Sequence, residues 1–315
     1  MTDTPELREM VVARKRALTP QIAEFTLASP SGGSLEPFTP GAHVTLRTPS
    51  GAMRRYSLVN DGAAPESYVI AVKREAQGRG GSASMHDDLA EGDRIEVGLP
   101  ENDFALVDAP EYLLIAGGIG ITPILGMARQ LDREGAEFRL VYCTRSADET
   151  AYLDEVRAFG DRAVIHHDGG DIDAAYDFWD HFEKPGRGHV WCCGPAGLME
   201  EVRALSGHWT EGHVHFEDFK PVEVVRADDR AFTVSLARSG ITVEVPADRT
   251  ILEALREAGV ETVSSCESGT CGTCKTVLIE GTADHRDMVL MDEEKASRIM
   301  ICISRAAEGD LVLDL

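Results

Sequence analysis

The first hundred residues alternate short apolar and polar runs that are separated by glycine and proline. Alternation with a period of two predicts β-strands, here at Val44–Thr48, Tyr68–Lys73 and Arg94–Gly98. One short helical segment interrupts them near Ser84–Ala90. Such a succession of short strands is typical of a small antiparallel β-barrel, which we expect over residues 1–108.

The pattern changes near Pro110, where continuous apolar runs begin to alternate with amphipathic stretches. The apolar runs predict buried strands at Tyr112–Ala116, Phe138–Cys143, Ala163–His166 and Val190–Cys193. The amphipathic stretches predict helices that end near Arg133, Phe159 and Leu205. Alternating strands and helices indicate a doubly wound α/β domain with a parallel sheet, which we expect over residues 109–225.

A polar segment, Lys220–Arg230, has the composition of a linker. Beyond it, two predicted strands and an amphipathic helix, Ile251–Ala258, follow one another. Thr250 is suited to cap the start of this helix and Gly259 to end it. We therefore expect a third, α+β domain over residues 226–315.

The charge of the chain excludes two classes of partner. Its 31 basic and 54 acidic residues give a net charge of −23, which is unfavourable for binding nucleic acid or an anionic membrane surface. The first ten residues lack the apolar core of a signal peptide, and no run approaches the roughly 18 apolar residues of a membrane helix. We expect a cytoplasmic, monomeric protein whose acidic surface is either simply solvated or faces a basic protein partner.

Four of the seven cysteines form the strongest chemical pattern in the chain. Cys266, Cys271 and Cys274 have the spacing C-x4-C-x2-C, and Cys302 follows after 27 further residues. This is the plant-type 2Fe-2S spacing, in which four thiolates hold two irons. A zinc site is the alternative, but it usually has two C-x2-C pairs, and only one is present here. The segment from Phe232 onwards resembles plant-type ferredoxins along its length, which implies a β-grasp fold.

Two glycine-rich turns follow predicted strands of the α/β domain. One contains Gly117, Gly118, Gly120 and Thr122, and the other is Cys193-Gly194-Pro195. Glycines let the backbone approach a pyrophosphate, and a helix N-terminus favours its negative charge. Because ligands bind beyond the carboxyl ends of parallel strands, both turns are expected to face one crevice.

Two further motifs lie in the predicted barrel. Arg54, Tyr56 and Ser57 form the pattern R-x-Y-S, which resembles the flavin motif of the ferredoxin–NADP reductase superfamily. The resemblance implies that the arginine neutralises a phosphate while the tyrosine and serine flank the flavin ring. The segment Gly78–Ser82 opens the short helix and could hold a terminal phosphate. Taken singly, each motif could equally be an ordinary strand or loop.

The order of these motifs resembles one protein family. A flavin barrel, a nucleotide domain and a C-terminal ferredoxin, in that order, are found in the phthalate dioxygenase reductase family, which includes vanillate demethylase reductases. The resemblance covers essentially the whole chain. It implies that the flavin is FMN, although the sequence leaves FAD possible, that the electron donor is NADH, and that the acceptor is a separate terminal oxygenase.

The resemblance also implies which residues bind the cofactors. For the flavin these are Arg54, Tyr56, Ser57, Val72, Lys73, Arg79, Gly80, Gly81 and Ser82. For the dinucleotide they are Gly117, Gly118, Gly120, Thr122, Cys193, Gly194 and Pro195. An aromatic side chain is expected against the flavin, and Phe216 is favoured for it, with Phe219 as the alternative.

Electron counting gives the expected activity. NADH donates two electrons as a hydride whereas an iron–sulfur cluster accepts one at a time, so a flavin is needed between them. Hydride transfer requires no general acid or base, and we expect no catalytic side chain of that kind. We expect the reductase component of a Rieske-type oxygenase that hydroxylates or O-demethylates aromatic compounds.

Three alternatives remain open from the sequence. The acceptor could be a haem-thiolate monooxygenase, and the chain could be a non-catalytic redox sensor. Arg145 follows the second predicted strand of the nucleotide domain, where an arginine could contact a 2′-phosphate and favour NADPH.

Overall fold

The structure is a computed structural model that describes residues 7–75, 80–210, 212–219, 226, 228–264, 269, 272, 274–287 and 289–315. The chain divides into two compact units, one ending at Asp218 and the other running from Phe219 to Leu315. Three sheets are found among the described residues, two in the first unit and one in the second.

The first sheet is an antiparallel barrel. Its strands pair in the order β4-β3-β6-β1-β2-β5, and a bridge between Leu58 and Ile70 joins the two ends of this order. Apolar side chains such as Phe25, Val44 and Ile70 fill the interior. The elements are β1 (Arg8–Thr19), β2 (Ile22–Ala28), β3 (His43–Arg47), β4 (Met53–Ser57), β5 (Ser67–Lys73), α1 (Gly81–Asp87) and β6 (Arg94–Glu101).

The second sheet is entirely parallel, in the order β11-β10-β7-β8-β9. Its elements are β7 (Tyr112–Gly117), α2 (Ile121–Glu134), β8 (Phe138–Thr144), α3 (Leu153–Arg157), β9 (Ala163–His167), α4 (Trp179–Phe182), β10 (His189–Cys193), α5 (Ala196–Ser206) and β11 (Val214–Glu217). The chain leaves β7 towards β8 and β9 and then returns to the other side of β7 for β10. The boundary between β7 and β10 is therefore the topological switch point, where ligands bind in such sheets.

Side chains on the two faces of the parallel sheet enter different cores. Leu114 and Trp191 face a core that also contains Ile22 and Val59 of the barrel region, so the barrel and the sheet share buried apolar contacts. Ile115 and Cys192 face the opposite core, beneath α5.

The third sheet lies in the second unit, in the order β13-β12-β16-β14-β15. One strand pair, β12 with β16, is parallel and the others are antiparallel. The predicted cap of its helix is present, because the Thr250 hydroxyl accepts from the Glu253 N–H and the Glu253 carboxylate accepts from the Thr250 N–H. The elements are β12 (Phe232–Leu236), β13 (Thr242–Val245), α6 (Ile251–Glu257), β14 (Lys275–Asp284), α7 (Asp292–Lys295), β15 (Arg298–Met300) and β16 (Arg305–Leu313).

These three architectures confirm the predicted fold class. Two helices differ in extent from the sequence prediction. The first, α1, begins at Gly81 rather than near Ser84, directly after Gly80 in the left-handed region at φ 82°. The other, α3, spans only Leu153–Arg157 because the preceding Tyr152 takes a left-handed conformation at φ 58°, which a continuous helix cannot contain.

Candidate functional site

The two glycine-rich turns touch each other at the switch point. A β-carbon added to Gly120 would lie 2.1 Å from the carbonyl oxygen of Cys193, and one added to Gly117 would lie 2.5 Å from Cδ of Pro195. One added to Gly194 would lie 3.0 Å from the backbone of Gly117. Only glycine allows this approach, and the turns therefore form one continuous backbone surface beyond β7 and β10.

Hydrogen bonds fix the first turn at the start of α2. The Tyr142 hydroxyl donates to the carbonyl oxygen of Gly118 at 3.0 Å, and the Thr122 hydroxyl donates to that of Ile119, also at 3.0 Å. Thr122 is 2% exposed, so its side chain stabilises the turn from within. The helix α2 begins here, and the positive end of a helix dipole suits an anionic ligand.

Arg54 of the barrel lies against the start of α1. A β-carbon on Gly81 would lie 3.0 Å from Nε of Arg54, which shows how closely the guanidinium approaches the helix. Its Nη1 donates to the Met53 carbonyl oxygen at 2.7 Å. The Ser82 hydroxyl accepts from the N–H of Glu75 at 3.0 Å. Arg79, the remaining predicted residue of this loop, lies outside the described residues.

Tyr56 and Ser57 end strand β4. Burial raises the pKa of Tyr56 to about 12, so the phenol stays protonated at neutral pH. Ser57 is 4% exposed, and its hydroxyl has no hydrogen-bond partner among the described residues. A buried hydroxyl without a partner is costly, and a polar ring atom of a bound ligand would supply one. This observation fits a flavin against β4.

Val72 and Lys73 end strand β5. Val72 is fully buried in the barrel core, and its carbonyl oxygen lies 2.8 Å from Nε2 of His86 in α1. The Lys73 ammonium lies 3.3 Å from the Glu75 carboxylate. The contact of Val72 with His86 attaches the end of β5 to the helix that follows it.

Cys193 and Glu217 occupy neighbouring register positions at the carboxyl edge of the sheet. Burial raises the pKa of the Cys193 thiol well above its usual value, so it remains an uncharged thiol. Burial, with the Asp103 carboxylate next in effect, raises the pKa of Glu217 to about 8, while Arg55 of β4 acts in the opposite direction. The Oε2 atom of Glu217 is buried and has no partner among the described residues.

Glu217 is a candidate site residue that the sequence analysis missed. The sequence offered a signal for it, because Glu217 is an acidic residue at the end of a partly buried strand. Ligands bind beyond the carboxyl ends of such strands. The Arg55 guanidinium of β4 is near enough to act electrostatically on the Glu217 carboxyl.

Phe216 lies on the other face of the sheet from Glu217. Its ring packs into the core beneath α5, where the guanidinium carbon of Arg203 lies 4.0 Å from the ring centroid. The prediction that Phe216 lies against the flavin conflicts with this placement, because successive residues of a strand point to opposite faces. Phe219, the alternative, is 40% exposed.

Two of the four predicted cluster cysteines are described, and both are buried. Cys274 is 4% and Cys302 is 1% exposed, and both belong to the core of the second unit. Lys275 pairs with Met300, so the two cysteines lie at adjacent ends of β14 and β15. Gly269 and Gly272 have φ of 75° and 81°, a conformation that favours glycine. Cys266 and Cys271 lie outside the described residues.

The second unit therefore fits a metal cluster in the part that is described. Two buried cysteines, Cys274 and Cys302, lie at adjacent strand ends. A β-carbon on Gly269 would lie 2.9 Å from the Ile303 side chain, so Gly269 lies close to the residue that follows Cys302. Buried, clustered thiols of this kind suit iron ligation.

The helices of the described residues are all too short or too polar to cross a lipid bilayer. Two family models match the chain. Residues 114–168 match an oxidoreductase NAD-binding domain, and residues 234–307 match a 2Fe-2S iron–sulfur cluster binding domain. The first match contains the turn after β7, and the second contains all four predicted cluster cysteines.

Full-length relatives agree with these matches. The chain is 52% identical to phthalate dioxygenase reductase of Burkholderia cepacia over 96% of both chains. It is 51% identical to the phthalate 4,5-dioxygenase oxygenase reductase subunit of Pseudomonas putida, over 96% of this chain and 95% of that protein. It also resembles a solved phthalate dioxygenase reductase, a modular structure for electron transfer from pyridine nucleotides to 2Fe-2S, with 51% identity, a TM-score of 0.83 and 98% coverage of both chains. The chain belongs to the phthalate dioxygenase reductase family, as an oxidoreductase with an NAD-binding domain and a 2Fe-2S cluster-binding domain.

Proposed function

We propose that this protein is the reductase component of a Rieske-type multicomponent oxygenase acting on an aromatic substrate. It takes electrons from NADH and delivers them through FMN and a 2Fe-2S cluster to a separate oxygenase. The observation that carries this proposal is the interlocking of the two glycine turns at the switch point, close to the strand that ends in Tyr56 and Ser57. A dinucleotide bound on the turns would present its nicotinamide to a flavin bound on that strand.

The flavin is held by the ends of β4 and β5 and by the start of α1. Arg54 balances the charge of the FMN phosphate, together with Arg79 and the backbone of Gly80, Gly81 and Ser82. Tyr56, as an uncharged phenol, and Ser57, whose hydroxyl lacks a partner among the described residues, would contact the flavin ring. Val72 and Lys73 would lie beside it.

The dinucleotide is held by backbone rather than by charged side chains. Gly117, Gly118, Gly120 and Thr122 shape the turn that receives the pyrophosphate at the start of α2. Gly194 and Pro195 would close the other side of the crevice, and the buried, uncharged thiol of Cys193 would lie near the nicotinamide. The chemistry that bound flavin supplies is the conversion of a two-electron hydride donor into single-electron transfer to a cluster.

No general acid or base is assigned, because a hydride moves without one. The residues of the crevice position the ring of the nicotinamide and exclude water from it. Cys266, Cys271, Cys274 and Cys302 hold the cluster, with the first two proposed on their spacing alone.

We also propose the organisation and setting of the chain. Its three domains span residues 1–108, 109–225 and 226–315, since each range contains one complete sheet. The protein acts as a monomer in the cytoplasm, where thiolates remain available as metal ligands.

The proposal is tested by mixing the purified protein with NADH under anaerobic conditions. NADH is expected to reduce the flavin and so bleach its absorbance. NADPH is expected to bleach it only at a far higher concentration. Extraction and chromatography of the flavin should yield FMN. A flavin that keeps its absorbance with both nucleotides would overturn the proposed function.

A further inference from the structure

Tyr152 has an unusual backbone conformation. It is the one non-glycine residue with a positive φ, 58°, among the described residues. The β-carbon of any residue other than glycine makes this region unfavourable, and asparagine and aspartate tolerate it better than an aromatic residue does. A tyrosine persists there only where its surroundings determine the conformation, and such residues often have functional roles.

The side chain of Tyr152 links the parallel sheet to the barrel. Tyr152 is 6% exposed and belongs to the core shared by the two sheets. Its hydroxyl donates a hydrogen bond of 3.0 Å to Oε2 of Glu24, on strand β2 of the barrel. The two residues are 128 positions apart in the chain, so the bond joins two distant segments.

Glu24 is itself held in place by Arg16 of β1. The guanidinium donates to both carboxylate oxygens, from Nε to Oε1 at 3.1 Å and from Nη2 to Oε2 at 3.0 Å. Glu24 is 9% exposed, and the paired guanidinium balances its charge. Such a bidentate pair fixes the orientation of the carboxylate that accepts from Tyr152.

A second set of contacts, through α3 and α2, also links the parallel-sheet domain to the barrel region. Glu155 of α3 forms an ion pair with Arg129 of α2. The guanidinium of Arg129 also donates to the carbonyl oxygen of Val59, in the barrel region. Tyr152, Glu24, Arg16, Glu155 and Arg129 are together called the Tyr152 cluster below.

The Tyr152 cluster ends on residues next to both proposed cofactor sites. Glu24 pairs with Ala71 on β5, directly before Val72. Val59 lies two residues beyond Ser57, the last residue of β4. Arg129 lies in the helix that begins at the dinucleotide turn. The cluster therefore connects the strands that would carry the flavin to the helix that would carry the dinucleotide.

We propose that Tyr152 is a positioning residue for hydride transfer, which acts through Glu24 by holding the barrel and the parallel sheet at a fixed separation. The proposal rests on the proposed function. Hydride transfer requires the reacting atoms to be about 3–3.5 Å apart, and a misplacement of about 1 Å costs on the order of a hundredfold in rate. Packing of apolar side chains alone tolerates small sliding motions, whereas a hydrogen bond from the buried Tyr152 phenol weakens when its distance or angle changes.

The test compares three variants of the flavin-loaded protein by stopped-flow reduction with NADH. Tyr152→Phe removes one oxygen and retains the ring. Glu24→Gln retains an acceptor for the phenol but loses its charge towards Arg16. Arg133→Gln is the matched control, because Arg133 of α2 also pairs with the barrel region, with Asp61 at 2.9 Å, but both side chains are about half exposed.

Tyr152→Phe is expected to slow flavin bleaching at saturating NADH by about tenfold, while the NADH concentration for half-maximal rate changes by less than about twofold. Glu24→Gln should show a smaller decrease, and the double variant should be no slower than Tyr152→Phe alone, because both act through one contact. Arg133→Gln should retain the wild-type rate, since exposed ion pairs contribute little.

Thermal unfolding of the same set provides a readout that is independent of activity. The effects of Tyr152→Phe and Glu24→Gln on the unfolding midpoint should be less than additive. A wild-type rate of bleaching in Tyr152→Phe, or an equal decrease in Arg133→Gln, would overturn the proposal. Failure of the wild-type flavin to bleach with NADH would instead overturn the proposed function. Non-additive changes in the unfolding midpoint would in that case still show that Tyr152 and Glu24 are in contact.

Discussion

Glu217 illustrates how position in the fold changes the chemistry of a single residue. Its pKa is raised to about 8, with burial as the largest cause, whereas a carboxyl group in the unfolded chain titrates near 4.5. Between these pH values the folded protein binds one proton more than the unfolded chain does at this site. The free energy of unfolding therefore decreases as the pH rises through this window.

Replacing Glu217 with glutamine should remove that dependence. Relative to wild type, Glu217→Gln is expected to gain stability as the pH is raised from 5 to 8, because glutamine carries no proton that must be released. Chemical denaturation at several pH values measures this difference. The control is Glu200→Gln at an exposed position of α5, which should show no such trend. A difference between Glu217→Gln and wild type that is the same at pH 5 and pH 8 would contradict the raised pKa.

At the scale of the elements, the interlocked glycine turns make a sharp prediction. Gly120→Ala would place a methyl group 2.1 Å from the Cys193 carbonyl oxygen, so one turn must move. The NADH concentration needed for half-maximal flavin reduction is expected to rise by about tenfold or more. Gly197→Ala in α5 is the matched control, because its β-carbon would meet nothing within 4 Å. If Gly120→Ala and Gly197→Ala need the same NADH concentration for half-maximal flavin reduction, the contact between the turns does not contribute to nucleotide binding.

The elements also show what could be predicted from the sequence. The strand β7, predicted over Tyr112–Ala116 and found over Tyr112–Gly117, could be predicted because an apolar run, three glycines and an amphipathic helix follow one another. The strand β11 has only four residues, and its alternation places His215 and Glu217 on one face and Phe216 on the other. The shortened helix α3 and the bond from Tyr152 to Glu24 could not be predicted, since both depend on contacts between distant segments.

At the scale of the whole molecule, the two chemistries should be separable. Cys302→Ser is expected to abolish the visible and EPR signals of the cluster, because serine is a poor substitute for a buried thiolate ligand. NADH-driven reduction of ferricyanide by the flavin should remain. Cys192→Ala, at a buried position of the parallel sheet, should retain the cluster signals. If Cys302→Ser loses ferricyanide reduction as well as the cluster signals, the flavin and the cluster do not function as independent modules.

The net charge of −23 predicts how salt affects the rate of electron transfer to charged acceptors. Reduction of cytochrome c, a basic protein, should slow as salt is raised, because the screening length falls from about 30 Å at 0.01 M to about 10 Å at 0.1 M. Reduction of ferricyanide, an anion, should not slow. A rate with cytochrome c that is independent of salt would indicate that the acidic surface is only a solvated one.

We propose above all that electrons pass from NADH to the cluster by way of the flavin. The most direct measurement is EPR of the reduced cluster after NADH is added to native, flavin-depleted and FMN-reconstituted protein. The signal is expected in the native and reconstituted samples and not in the depleted one, in which dithionite should still reduce the cluster. A cluster that NADH reduces equally well without flavin would contradict the account.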